Sequence, residues 1–336
     1  MADNHHAQRH SEIRITLADV GRRVSVRRVL EIVGDRPVFG DTIGVLTSWD
    51  AGVLVVVGRD GKPVEVREDR LVAGKPVPPA PVRRVQPPAA DPEELQRIAA
   101  RGWPAVETAA LGEWTLRAAG GFTRRANSVQ AIGDPGLPLD AALAEARDWY
   151  DARGLPTHVE VTVPGSPAGL REELARLGSE EAPTLFRTAP LAPLAALATA
   201  GHPVRLARTV SAEWMSRYRR VGDPSLQRDA QSVLHGGPSV WFGTVPGPEG
   251  SAPAAIGRCV VDGAWAGFSA VEVDPELRRS GLATRMMAAL AARAAEEGAT
   301  GGYLQVEADN SGAIALYDRL GFTTSHTYHY CRLPRS

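Results

Sequence analysis

The sequence predicts a mixed α/β protein of more than one domain, and three observations carry that prediction. Near the C-terminus a β-branched run at residues 267–273 is followed by a helix-patterned stretch at 282–297, a second strand at 303–306 and a short helix at 311–320. Strands alternating with helices at these periods pack as a sheet covered by helices. A similar order occurs once upstream, with a helix pattern at 139–153, a strand at 154–161, a polar turn and a short helix. The upstream copy stops at Arg176-Leu177-Gly178 and the downstream one at Arg319-Leu320-Gly321. Third, residues 11–75 are a succession of short β-like runs, and 336 residues are too many for one small core.

From the N-terminus, residues 1–10 are polar and carry no apolar leader core. His5, His6 and His10 have no cysteine or carboxylate partners at ligand spacing, so a plain terminus is expected there. Runs at 23–29, 41–46, 52–57 and 63–66 follow, with Asp60-Gly61 between the last two as a hairpin turn tolerant of positive φ. This pattern predicts a small β-barrel of SH3-like type over 11–75, with Trp49 and Phe39 in its core. Such a barrel binds peptide or RNA, or braces a neighbour; bracing is favoured because no aromatic cluster marks a groove. Residues 76–92 hold seven prolines and read as a semi-rigid spacer.

The upstream copy spans 93–190 and the downstream copy 201–336. In the downstream copy, 204–207 is the first strand and 211–220 a helix capped by Ser211, with Met215 and Tyr218 on one face. Runs at 239–244 and 255–261 make a β-pair around the loop 246–253. The upstream copy is expected to wall the other's cleft, and the polar stretches Trp114-Thr-Leu-Arg117 and Arg124–Ser128 suit either a cleft edge or a solvated strand end.

Bulk properties exclude several classes. A net charge of −1 gives no basic field for nucleic acid. No apolar run reaches membrane-spanning length. Two cysteines, Cys259 and Cys331, suit a disulfide-free cytoplasmic protein, and no metal is expected.

The segment joining the strand at 267–273 to the next helix carries the chemistry. Arg278, Arg279, Ser280, Gly281, Leu282, Ala283 and Thr284 place a glycine and two arginines at a helix N-terminus, where unpartnered N–H groups and the helix dipole favour an anion. The spacing Arg278-x-x-Gly281-x-Ala283, with Asn310-Ser-Gly-Ala-Ile-Ala-Leu-Tyr317 following at the usual distance, resembles the signatures of the GNAT (GCN5-related) N-acetyltransferases. The match covers about the last third of the chain, and the composition suits an actinobacterial type of bacterial member. The resemblance implies the GNAT acyl-CoA N-acyltransferase fold for 201–336, preceded by a degenerate GNAT-like half. That half has no Arg-x-x-Gly-x-Ala, Pro135 and Pro138 remove N–H groups from its loop, and Leu174 stands where Tyr317 does.

By the same resemblance, the main chain of Val271 and Val273 holds the pantetheine of acetyl-CoA, residues 278–284 wrap its diphosphate, and Asn310 contacts the cofactor. Tyr317 donates to the leaving thiolate as general acid, its alternative being a packing aromatic. Glu272 and Glu307 are both candidates for the base, Asp309 lies nearby, and His326 and His329 are either assisting bases or strand-surface residues. The implied activity is acetyl transfer to a primary amine of a small molecule, or to a protein lysine or N-terminus recruited by the barrel. The alternative is a non-catalytic acyl-CoA sensor, and a homodimer is left open.

Overall fold

The computed structural model describes residues 13–58, 62–77, 86–198, 204–218, 226–248 and 250–334. The chain forms two compact units, Met1–Arg84 and Val85–Ser336. The terminal histidines, most of the turn at 59–62 and much of the spacer lie outside the described residues.

In the first unit, β1 (Arg23–Val33), β2 (Arg36–Asp50), β3 (Val53–Val57), β4 (Pro63–Arg67) and β5 (Leu71–Pro76) form one sheet in the order β4-β3-β2-β1-β5. Val24, Val26, Leu54, Val56 and Val66 alternate onto one face as its core. Among the described residues β4 and β5 share no ladder, so the sheet is open and the expected closed barrel is not formed. Phe39 is exposed rather than in the core. The reason is length: β5 pairs with β1 only as far as Arg28, and β3 meets β2 only from Val45 onward, so the tip of the β1–β2 ribbon has no strand beside it.

The second unit opens with helix α1 (Pro92–Gly102), capped by Asp91. Then come β6 (Glu107–Leu111), β7 (Trp114–Ala118), β8 (Val129–Gln130), α2 (Leu139–Asp151), β9 (His158–Val163), α3 (Leu170–Leu177), β10 (Ser179–Glu180), β11 (Thr184–Pro190) and α4 (Leu191–Ala195). The downstream copy follows with β12 (Arg205–Ala207), α5 (Ala212–Arg217), α6 (Gln227–His235), β13 (Ser239–Val245), β14 (Ala255–Asp262) and β15 (Trp265–Val273). It ends in α7 (Leu282–Glu296), β16 (Gly301–Glu307), α8 (Ser311–Arg319) and β17 (Thr323–Arg332).

These strands make one continuous sheet in the order β12-β13-β14-β15-β16-β11-β17-β9-β8-β7-β6. Each copy contributes a parallel pair joined through a helix, β8 with β9 across α2 and β15 with β16 across α7. The last strands are exchanged: β11 of the upstream copy pairs with β16, while β17 of the downstream copy pairs with β9. β11 and β17 also pair with each other, so the two copies are interlocked at the centre of the sheet.

Alternation along β14 sets the layers. Cys259 and Val261 join the core under α7, whereas Ile256 and Val260 join that under α5 and α6. Helix α7 lies close to the sheet because Gly257 has no side chain; a Cβ there would sit 2.7 Å from Met286 Cγ. Trp214, one turn past the Ser211 cap, anchors α5 from a fully buried position. No described helix is long and apolar enough to cross a membrane.

Candidate functional site

A backbone irregularity opens the site. β14 and β15 pair at Arg258↔Ser269 and again at Ile256↔Glu272, leaving Ala270 and Val271 opposite Gly257 alone. This is a β-bulge, and Ala270 takes a φ of 51°, costly for a residue with a Cβ. Beyond the bulge β15 leaves its parallel neighbour, and the β15–β16 ladder ends at Phe268↔Leu304. A cleft of about 240 Å³ lies between the diverging strands.

Several sequence-predicted residues meet there. Val271, Glu272, Glu307, Asn310 and Tyr317 all line the cleft. Asn310 caps α8, its Oδ1 accepting from the Ala313 N–H at 3.1 Å. Asn310, Ala313 and Tyr317 fall at i, i+3 and i+7, so the cap directs one face of α8 into the opening. Val273 does not line the cleft; it packs with Val271 against the core under α7. Asp309 is also outside the lining.

Residues 278–284 follow along the chain from β15 without lining the cleft. Gly281 is the N-cap of α7 at φ 85°, and a Cβ there would meet nothing within 4 Å, so the loop surface is open. No side chain caps α7 and its first turn has no acidic residue. Among the described residues neither Arg278 nor Arg279 has an ion-pair partner, whereas Ser280 is tied to the Leu277 carbonyl at 2.6 Å. The arrangement leaves N–H groups and two cations facing outward, a fit to a diphosphate.

The corresponding loop of the upstream copy is closed. The Glu113 carboxylate accepts from the Asp134 N–H at 2.6 Å, and Asp134 itself accepts from the Gly136 N–H at 2.8 Å. Protein carboxylates thus hold two of the N–H donors of this loop. Pro138 is the N-cap of α2 and Asp140 stands in its first turn, which further disfavours an outside anion.

The upstream copy instead contributes cleft wall. Trp103, Thr123, Arg124 and Arg125 line the opening, as do Tyr328 and Tyr330 from the exchanged strand. Arg124 pairs with Glu181 and, at 3.3 Å, with Glu307. Trp114 and Arg117 are not cleft edge: both are buried in the upstream copy. Trp103 had no local signal. Tyr328 and Tyr330 are an i, i+2 pair on one strand face, legible only once the strand's position is known.

His326 and His329 are buried rather than on the strand surface, and neither lines the cleft. His326 stacks on Phe186 at 4.6 Å between ring centroids, and burial pushes its pKa down to about 4 against a small opposing pull from Glu160. The folded state therefore binds fewer protons than the unfolded chain between pH 4 and 6.5. The stability this residue contributes is full above about pH 6.5 and is lost as pH falls toward 4. Lowering pH from 7 to 5 should remove about 2 kcal/mol through this one group. His326→Phe keeps the stack and should flatten that part of the profile in urea melts; an equal loss in wild type and variant would refute the assignment.

Cys259 and Cys331 are free and buried, and burial raises both thiols, Cys259 to about 12. Neither lines the cleft. No cluster of three or more potential metal ligands occurs among the described residues.

The family described as "Probable histone acetyltransferase Rv0428c C-terminal" matches residues 89–331. The Mycobacterium tuberculosis protein named probable histone acetyltransferase Rv0428c is 29% identical over 326 residues, covering 93% of this chain and 94% of its own. An uncharacterized N-acetyltransferase of Bacillus subtilis, YobR, is 28% identical over 250 residues, 71% of this chain and 98% of its own. A mycothiol acetyltransferase of Kocuria rhizophila is 49% identical over 57 residues, 17% of this chain and 19% of its own. Among solved structures, a GCN5-related N-acetyltransferase of Kribbella flavida superposes with TM-score 0.54 at 19% identity, covering 74% of this chain and 98% of that one. A tandem GNAT protein from the clavulanic acid biosynthesis pathway gives 0.52 at 16% identity, over 75% and 90%.

Proposed function

The chain belongs to the Rv0428c C-terminal acetyltransferase family, within the GNAT N-acetyltransferases, and from that premise we propose that it transfers acetyl directly from acetyl-CoA to a primary amine in the cleft between β15 and β16. The observation that carries this reading is the contrast between copies. One has a helix N-terminus with no acidic residue in its first turn, beside two arginines without ion-pair partners among the described residues and a splayed strand pair; the other has Asp140 in its first helical turn, and the Asp134 and Gly136 N–H groups of its loop are held by Glu113 and Asp134.

Acetyl-CoA supplies the activated acetyl group as a thioester. Residues 278–284 hold its diphosphate, and the main chain of β15 beyond Phe268, which has no ladder to β16, receives the pantetheine. The Tyr317 hydroxyl gives a proton to the leaving sulfur as the C–S bond breaks. Glu272 or Glu307 takes the proton that the amine sheds as the new C–N bond forms. Direct transfer is supported because the two thiols are buried, raised in pKa and away from the cleft. The relatives' names differ, one citing histone and another mycothiol, so they leave small-molecule and protein amines both in play.

Calorimetric titration of acetyl-CoA tests the reading. Wild type should bind with Kd of about micromolar order, and an Arg279→Glu/Gly281→Asp variant should bind about tenfold or more weakly. Two carboxylates would then face the diphosphate, and Asp at a φ of 85° is strained. Absence of binding to wild type would overturn the proposal. Binding without acetylation of any amine would favour a sensor.

A further inference from the structure

Trp103, on the cleft wall supplied by the upstream copy, meets two guanidinium groups. Arg125 lies 5.1 Å and Arg258 5.0 Å from the centroid of its ring. Arg258 is fully buried and spends its donors on carbonyls, including Leu234 and Gly236 at 2.6 Å and Gly102 at 2.9 Å. Arg125 lines the cleft, and its buried Nε has no hydrogen-bond acceptor. Among the described residues neither arginine has a carboxylate within ion-pair distance. The neighbouring Arg124 is different, being held by Glu181 and Glu307.

Two cations beside one indole, without an anion, are costly in a half-buried wall unless a ligand completes them. The remaining groups indicate which ligand. Gln305 Oε1, also on the cleft, is a buried acceptor without a donor, and Glu272 and Glu307 stand on the diverging strands. An amine with N–H groups for the carboxylate side and an anion for Arg125 satisfies both ends. A planar guanidinium held in place over an aromatic ring presents its fork of donors for bidentate capture of a carboxylate. A basic peptide would instead bring further positive charge to Arg125 and Arg258.

Resting on the acetyltransferase reading above, we propose that the acceptor is a small primary amine bearing a carboxylate, and that Arg125, held over the Trp103 ring, is the residue that selects it. Arg125 is a specificity residue; it takes no part in the proton transfers.

The test uses glycine, β-alanine, L-phenylalanine and L-leucine, each paired with its own carboxamide, together with a lysine-rich basic peptide. CoA thiol release is measured with the full chain and with Arg125→Gln and Arg125→Lys. The carboxamides have the less basic amines, so intrinsic reactivity at neutral pH favours them; any preference for the acid must come from binding. In wild type at least one acid should exceed its carboxamide about tenfold or more in kcat/KM. Arg125→Gln should bring that ratio near one, through KM, and Arg125→Lys should restore part of it. A purely structural role would lower acid and carboxamide alike and leave the ratio unchanged, overturning the proposal. Preference for carboxamides or the peptide, or turnover of no member by an enzyme that binds acetyl-CoA, overturns it as well while leaving the cofactor site standing. Failure to bind acetyl-CoA takes down the acetyltransferase reading and this inference together.

Discussion

Tyr317→Phe is expected to lower kcat about a hundredfold while leaving acetyl-CoA affinity within about twofold of wild type. The substitution isolates the hydroxyl. The Tyr317 ring packs edge-on against Phe322, with centroids 6.0 Å apart, and its side chain abuts the core under α7. Phe keeps those contacts, so folding and the position of α8 should persist. What disappears is the one proton donor that α8 presents to the cleft two turns beyond the Asn310 cap. A thiolate leaving without a proton is a poorer leaving group, and the deficit should shrink as the acyl donor's leaving thiol becomes more acidic. Single-turnover thiol release with acetyl-CoA and with a donor of more acidic thiol would read this directly. Unchanged kcat would return Tyr317 to the role of packing aromatic.

Much of this site is written locally in the chain. Asn310 ahead of a helix pattern is an N-cap signal, and the bond from the Ala313 N–H to its side chain realises it. Gly281 before an alanine-rich helix marks a positive-φ position, and its φ of 85° in open space is what that residue type supplies. The upstream copy's loop could be judged from Pro135 and Pro138, although its occupation by the Glu113 carboxylate depends on the β6–β7 turn arriving there.

Other features have no local signature. Ala270 carries the bulge that opens the cleft, and alanine at a positive φ follows no sequence rule. The exchange of β11 and β17 is invisible to periodicity, because alternation states which residues share a face and not which strand lies alongside. Helix α1 was more accessible: Asp91, Pro92 and Glu94 form a helix-start pattern, and Asp91 does accept from the Glu94 N–H at 2.8 Å. The two histidines of β17 misled because a polar residue on an alternating strand suggests solvent. Here both faces of the strand are covered at the centre of an interlocked sheet.

Glu160→Leu should cost about 3–5 kcal/mol of stability, because Glu160 closes an ionic seam that holds the exchanged strand in place. Its carboxylate, on β9, lies 2.9 Å from Arg117 on β7, and both side chains are almost wholly buried. Arg117 also donates to the Ser128 hydroxyl at 2.7 Å and the Ser128 carbonyl at 3.1 Å, next to β8. The Tyr330 hydroxyl donates to Glu160 from β17 at 3.3 Å. The polar contacts therefore cross β7, β8, β9 and β17, which are adjacent in the sheet. Burial by itself would push the Arg117 guanidinium down in pKa; the charge and hydrogen bond of Glu160, together with the Tyr330 and Tyr150 hydroxyls, more than reverse this, so Arg117 is held as a cation with Glu160 as its main partner. Leucine at 160 would leave that cation buried without a counter-charge, its remaining bonds being to Ser128. Arg117→Met alone should be similarly damaging, whereas Arg117→Met/Glu160→Leu should cost well under the sum, since no unpaired charge remains. Urea unfolding of the four proteins gives the coupling. A single-variant cost below about 1 kcal/mol, or additive costs in the double variant, would show that apolar packing and ladder hydrogen bonds alone hold β17. Because β17 also carries Tyr328 and Tyr330 into the cleft, the seam ties the stability of the interlocked sheet to the shape of the acceptor wall.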